Sequence, residues 1–264
     1  MRHVRLALVL LASLPLAAQH VPDFRGAVVT TVRAAGDLRQ QIVSLDSANE
    51  RVWVGYTIPA SRARPVRVCC SLDDENTQIT TRHDDFSEDV DVLYRVNRGE
   101  ITTIRALSSC SIEAGGAHIY WLDGVDPRAS INLLASLAKS DSLLGNKAIF
   151  ALSLHDGSTD ALIDLARHGE RAKIRSKALF WLAQTAADKA AGVLRDAVDN
   201  DPDEGVRAKA VFGIAQLPND QSIPLLAELM RTHRSANVRK KAAFWLGQKN
   251  DPRALEAIMS FLQH

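Results

Sequence analysis

Residues 240–248 read KKAAFWLGQ, and two earlier stretches say nearly the same thing: Lys177-Ala-Leu-Phe-Trp-Leu-Ala-Gln184 and Lys209-Ala-Val-Phe-Gly-Ile-Ala-Gln216. A shorter version, Lys147-Ala-Ile-Phe150, precedes them, so the word K-A-x-F recurs at spacings of 30, 32 and 32 residues. Self-similarity at such a period marks an array of supersecondary units that bury their apolar faces on one another. An Ile-Arg or Val-Arg pair introduces each of the last three words (Ile174-Arg175, Val206-Arg207, Val238-Arg239), and a second amphipathic segment follows each word, at 160–166, 190–198, 222–230 and 254–262. The expected unit is therefore a helical hairpin, with the word on its first helix.

At about 100° per residue from Phe180, Ile174, Ala178, Trp181 and Leu182 fall between about 100° and 200°, the stripe expected inside the hairpin. Lys177 and Gln184 share the side of Phe180. Stacked in register, the words form three ladders: Lys147, Lys177, Lys209 and Lys241; Phe150, Phe180, Phe212 and Phe244; Gln184, Gln216 and Gln248. Two readings stay open. The phenylalanines pack between repeats, or, flanked by lysines and glutamines, they form a partner-binding strip of the aromatic and long polar side chains that suit interface cores. The candidate partner-binding residues are Lys177, Phe180, Gln184, Lys209, Phe212, Gln216, Lys241, Phe244 and Gln248.

The stretches VRAKAVFGIAQLPNDQSIPLLAEL (206–229) and VRKKAAFWLGQKNDPRALEAIMSF (238–261) resemble short HEAT repeats of the phycobilisome-lyase-like type. The resemblance covers about residues 126–264. It implies a curved α-solenoid whose second helices line the concave side, a groove for a protein or peptide, and structural arginines that hydrogen-bond the inter-repeat loops. The first unit departs from the pattern, with Leu144-Gly145 in place of Val-Arg and Leu154 in place of Gln. Some proteins of this type hold two irons with His-Glu pairs or attach bilins. This chain has no His-Glu dipeptide, and its single His155, His168 and His233 read as exposed or capping residues.

The first half has other habits. Residues 19–125 contain no Lys, with 11 Arg against 15 acidic residues, whereas 126–264 holds nine Lys and 10 Arg against 16 acidic residues. The β-prone runs 51–58, 66–68, 90–96, 101–107 and 118–122 are separated by turn-forming residues, as strands are. Three cysteines lie here, and strand alternation lets Cys110 pair with Cys69 or Cys70 but not both. The acidic loop around Asp73, Asp74, Glu75, Asp84, Asp85, Glu88 and Asp89 fits no metal-binding spacing, so no metal site is assigned. At the N-terminus, Arg2 and Arg5 precede an apolar run from Leu6 to Leu14, then Pro15 and small residues to Ala18. This reads as a secretory signal peptide over 1–18, too short to span a membrane and followed by no lipid-attachment cysteine.

A two-domain α+β protein is expected: a signal peptide, a small β-rich domain over 19–125 with a disulfide, and an α-α superhelix over 126–264. The net charge of +1 points to neither nucleic acid nor an anionic membrane. The chain carries no Gly-x-Ser-x-Gly, no His-Glu-x-x-His, no reactive cysteine with a partner histidine and no phosphate-cradling glycine loop, so no catalytic residue and no cofactor are expected. The functional expectation is a secreted or periplasmic, non-enzymatic scaffold for a protein or peptide, without membrane insertion after signal cleavage. The alternative is a metal-binding or enzymatic protein using the acidic loop and His83.

Overall fold

The computed structural model describes residues 21–46, 51–61, 67–69, 72, 78–80, 88–107, 111–140 and 142–263. The expected leader, Cys70, Cys110, His83 and the acidic residues at 73–75 and 84–85 lie outside them, and with them the expected cysteine pairing.

Five strands build the main sheet: β2 (Val28–Arg33), β3 (Val52–Pro59), β6 (Asp89–Asn97), β7 (Glu100–Leu107) and β9 (His118–Asp123), in the order β2-β9-β3-β6-β7. The pairs β2–β9 and β9–β3 are parallel, and β3–β6 and β6–β7 are antiparallel. Short ladders join β1 (Phe24–Arg25) to β8 (Ile112–Glu113) and β4 (Arg67–Cys69) to β5 (Gln78–Thr80). The longer expected strands are all present. What the sequence pattern missed are the edge strand β2, the short β1, β5 and β8, and a helix, α1 (Leu38–Ser44), which Asp37 caps by accepting from Gln40 N.

Central β3 is buried on both faces, with Val52, Val54, Tyr56 and Ile58 on one and Trp53 and Gly55 on the other. A Cβ at Gly55 would lie 2.7 Å from the Trp121 ring and 2.9 Å from Leu93, so the bare backbone lets that indole lie across the strand.

Nine helices follow among the described residues: α2 (Pro127–Ala138), α3 (Leu143–Ser153), α4 (Thr159–His168), α5 (Ala172–Thr185), α6 (Ala187–Asn200), α7 (Glu204–Gln216), α8 (Asn219–Thr232), α9 (Ala236–Gly247) and α10 (Pro252–Leu262). Asp126, Ser142, Asp203, Ser235 and Asp251 supply side-chain N-caps, so many turn signals in the sequence are capping residues. The words stand on α3, α5, α7 and α9. Each of these packs more extensively on the helix before it than on the helix after it, which shifts the hairpin by one helix from the sequence expectation. Along the array the word-bearing helices also approach one another more closely than the alternate helices do. The array therefore bends toward the word-bearing row, which replaces the expected second helices on the concave side.

The arginines of the Ile-Arg and Val-Arg pairs do one job three times. Arg175 donates to the carbonyls of Gly169 (2.8 Å) and Glu170 (3.4 Å), Arg207 to Asp201 (2.7 Å) and Pro202 (3.2 Å), and Arg239 to His233 (2.7 Å) and Arg234 (3.1 Å). Each guanidinium thus satisfies the carbonyls left free where the preceding helix ends. Arg175 goes further and grips the Asp201 carboxylate of the next loop with two bonds, at 2.7 and 2.9 Å. Asp201 thereby receives the side chain of one repeat on its carboxylate and that of the next on its carbonyl. The departure at Gly145 has a local cause: a Cβ there would lie 1.9 Å from the Ser140 carbonyl oxygen, so the turn between α2 and α3 occupies the space of a side chain.

The sheet closes the array at its N-terminal end. Its Tyr56 face and the helices share one continuous buried cluster. Beyond β3, Ala60 pairs with His155, Ser61 N donates to Leu154 O (2.7 Å) and Asp156 N to Pro59 O (3.1 Å). Lys147, first in its ladder, donates to Thr103 Oγ1 at 2.7 Å and so serves this junction.

Three outcomes follow for stability. Gly145→Ala, despite the better helix propensity of alanine, should lower the unfolding free energy by about 2 kcal/mol in urea titration. Gly192→Ala, which meets nothing within 4 Å, should raise it by about 0.5 to 1 kcal/mol. Asp201→Ala leaves a buried guanidinium half-partnered and should lower it by about 3 kcal/mol in the same titration.

Candidate functional site

Six rings run across the word-bearing row. Phe150 of α3 packs on Trp181 of α5 (centroids 5.1 Å), Phe180 meets Trp181 edge-on (5.0 Å) and stacks parallel to Phe212 of α7 (6.4 Å, 4°). Phe212 packs on Trp245 of α9 (4.9 Å), and Phe244 meets Trp245 edge-on (5.0 Å). These separations suit tilted and edge-to-face ring pairs. The phenylalanines therefore pack between repeats, as the first of the two readings has it. One side of each ring contacts a neighbouring ring, yet Phe180 is 38% and Phe244 57% exposed, while Phe150 and Phe212 are half-buried.

Trp181 corrects the helical-wheel expectation. Ile174, Ala178 and Leu182 are buried as expected, but Trp181 is half-buried and belongs to the ring ladder, as does Trp245. A signal was present: the residue after Phe in successive words is Ala151, Trp181, Gly213 and Trp245, alternately small and large. The small residue also admits a neighbour, since a Cβ at Gly213 would lie 2.5 Å from Leu194 Cδ2 of α6.

The polar candidates flank the rings. Lys177, Gln184 and Lys241 are half-buried, whereas Lys209, Gln216 and Gln248 are exposed. Burial, and after it the charge of Lys173, lowers the Lys177 pKa below its ordinary value. Lys249 is structural: its ammonium donates to the carbonyls of Ala215 (2.7 Å) and Leu217 (3.4 Å) in the turn between α7 and α8.

The histidines divide. His168 is exposed beside Asp164, and His233 ends α8, its Nδ1 accepting from Ser235 N at 3.0 Å. His155 contradicts the expectation of exposure, for it is buried at the junction of sheet and helices. Its Nδ1 lies 2.8 Å from Ala151 O, an acceptor only, so Nδ1 carries the proton and Nε2 accepts from Ser130 Oγ at 2.7 Å. Ser130 in turn accepts from Tyr56 (2.7 Å), and Tyr56 from Tyr94 (2.7 Å). One hydroxyl hydrogen per residue fills the chain Tyr94, Tyr56, Ser130, His155 in a single direction. Burial lowers the His155 pKa to about 4 and raises that of Tyr56 to about 12. A serine bonded to an imidazole suggests a nucleophile, but both are sealed between sheet and helix, where a substrate has no approach. Among the described residues, no group of three or more His, Cys, Asp or Glu is placed to hold a metal, and no helix is long and apolar enough to cross a membrane.

Residues 159–235 match the family of HEAT repeats, and residues 238–264 that of the PBS lyase HEAT-like repeat. The matches begin at α4, beyond the unit in which Gly145 replaces the arginine. No curated protein matches the chain. A similar solved structure is the complex of CpcE and CpcF of phycocyanin lyase from Nostoc sp. PCC7120, at 20% identity over 52% of this chain and 91% of that one, with a TM-score of 0.40. An engineered protein is similar at 20% identity over 53% of this chain and 38% of that one, with a TM-score of 0.28. The region from α4 onward is an array of HEAT-like repeats.

The buried imidazole sets a pH dependence. His155 takes up its proton near pH 6.5 in the unfolded chain and near 4 in the folded one. Its contribution is therefore whole above about pH 6.5 and drains away as pH falls toward 4, by about 3 kcal/mol. Urea midpoints of His155→Asn should start lower than wild type at neutral pH and fall less steeply between pH 7 and 4.

Proposed function

We propose that this protein is an exported, non-catalytic scaffold that holds a protein or peptide partner against the ring ladder of its word-bearing helices. The observation that carries this reading is the continuity of six rings along the concave row, two of them more than a third exposed. Rings held by one another present aromatic area with little motion left to lose on binding, which favours them as interface anchors. Lys177, Lys209 and Lys241 stand on the same helices, so the matching partner is an apolar or aromatic segment with acidic neighbours. Lys177 suits that role: an incoming carboxylate would offset both the burial and the Lys173 charge that disfavour its ammonium. Export rests on the basic and apolar N-terminal residues, and the non-catalytic reading on the missing nucleophile, metal and phosphate-loop motifs and the sealed Ser130–His155 pair.

Crosslinking and mass spectrometry of the protein in its own cells tests the reading. Crosslinks to a partner should map to α5, α7 and α9 and disappear in a Lys177→Glu, Lys209→Glu variant whose melting temperature is unchanged. Equal recovery of the partner by that variant would refute the proposed ridge.

A further inference from the structure

Charge divides between the two rows of helices. The word-bearing helices α3, α5, α7 and α9 carry nine Lys and Arg against one carboxylate, Glu204, whereas the alternate helices from α2 to α10 carry six against eight. On the alternate row opposite charges meet, as in Lys189–Asp160 (3.8 Å), Arg195–Asp199 (2.8 Å) and Arg195–Glu228 (2.9 Å). On the word-bearing row the three arginines donate to loop carbonyls, Lys147 bonds Thr103, and Glu204 accepts from Asn237 at 2.6 Å. Lys177, Lys209, Lys240 and Lys241 have no carboxylate partner among the described residues. Uncompensated positive charge therefore collects beside the rings, and it is one-sided. In each of the last three words a lysine stands three residues before the phenylalanine and a glutamine four residues after it. Seven residues of helix rise about 10 Å. Phe180 lies parallel to Phe212 and Phe212 rests on Trp245, so the words keep register: lysines line one flank of the ladder and glutamines the other. The helix N-termini lie toward the lysine flank and add to its positive field.

We infer, resting on the reading of the ring ladder as a partner strip, that its occupant is an amphipathic helix whose apolar stripe is bordered by carboxylates on one side only. The two flanks stand about 10 Å apart, the diameter of a helix with its side chains, so such an element lies on the rings and reaches both. Neighbouring helices spaced by about 8 to 10 Å give α5, α7 and α9 a span of about 20 Å, which about three to four turns of helix match. Carboxylates on the lysine side meet Lys177, Lys209, Lys240 and Lys241. Lys173 and Lys177, one turn apart on α5, repel each other, and a bound carboxylate relieves that conflict. A carboxylate on the other side would face Gln184, Gln216 and Gln248, losing water and gaining no counter-charge, so the strip selects one-sided over symmetric acidity. The same field rejects a basic helix.

Fluorescence anisotropy of the full chain with three labelled helical peptides of about 18 residues, about 27 Å long, tests it. All three carry the same leucine and phenylalanine stripe. In the first, every glutamate borders one side of the stripe and every glutamine the other; in the second, the same residues are shuffled between the sides; in the third, lysine replaces glutamate. The first should bind at least about tenfold more tightly than either of the others and lose about tenfold in a Lys209→Glu, Lys240→Glu variant. Both lysines are exposed, so that variant should keep its melting temperature. Phe244→Ala, at a position 57% exposed, should weaken the first two peptides alike. Equal binding of the first two peptides, or indifference to the lysine variant, overturns the one-sided flank, and a loss in Phe244→Ala then leaves the ladder reading standing. Binding indifferent to Phe244→Ala as well, or no binding of any peptide, overturns both.

Discussion

No helix pair in this array can bury its apolar flank alone, and that constraint shapes the rest of the molecule. Each pair is completed by its neighbour, so the array needs something different from itself at its ends. At the first end the solution is the β-sheet, whose Tyr56 face joins the helical core and whose third strand reaches past its edge to bond residues 154–156. The sheet acts as a terminal cap that shares the core of the array.

The word-bearing helices approach one another more closely than the alternate helices do. That approach brings one ring of every word within reach of the next. On the opposite edge the arginines hold the turns at a fixed spacing, and Asp201, bonded from two repeats at once, ties their loops into a chain.

The repeat was legible because its period is long and its word keeps register, so K-A-x-F located four helices and the paired arginines located their starts. The longer strands were legible from alternation and turn residues. Other features depended on tertiary context. The hairpin phase could not be read because both neighbours of a word-bearing helix are amphipathic, and only packing decides between them. Trp181 sat at an angle that belongs to the hairpin interior in isolation and to the ring ladder once repeats stack. His155 read as an exposed or capping residue, since nothing local shows that a strand 95 residues earlier brings Ala60 beside it. Strand β2 lies at a sheet edge with most of its residues exposed, so it carries no apolar alternation to find.

The chain Tyr94, Tyr56, Ser130, His155 has a further consequence. Its members come from two strands, the helix α2 and the loop after α3, far apart in sequence, and every hydrogen bond in it needs the one before it. A half-docked sheet would strand hydroxyls in a dry interior, so the cap either seats completely or stays off. Opening of this seam is then all or none, like a zipper with a stitched end.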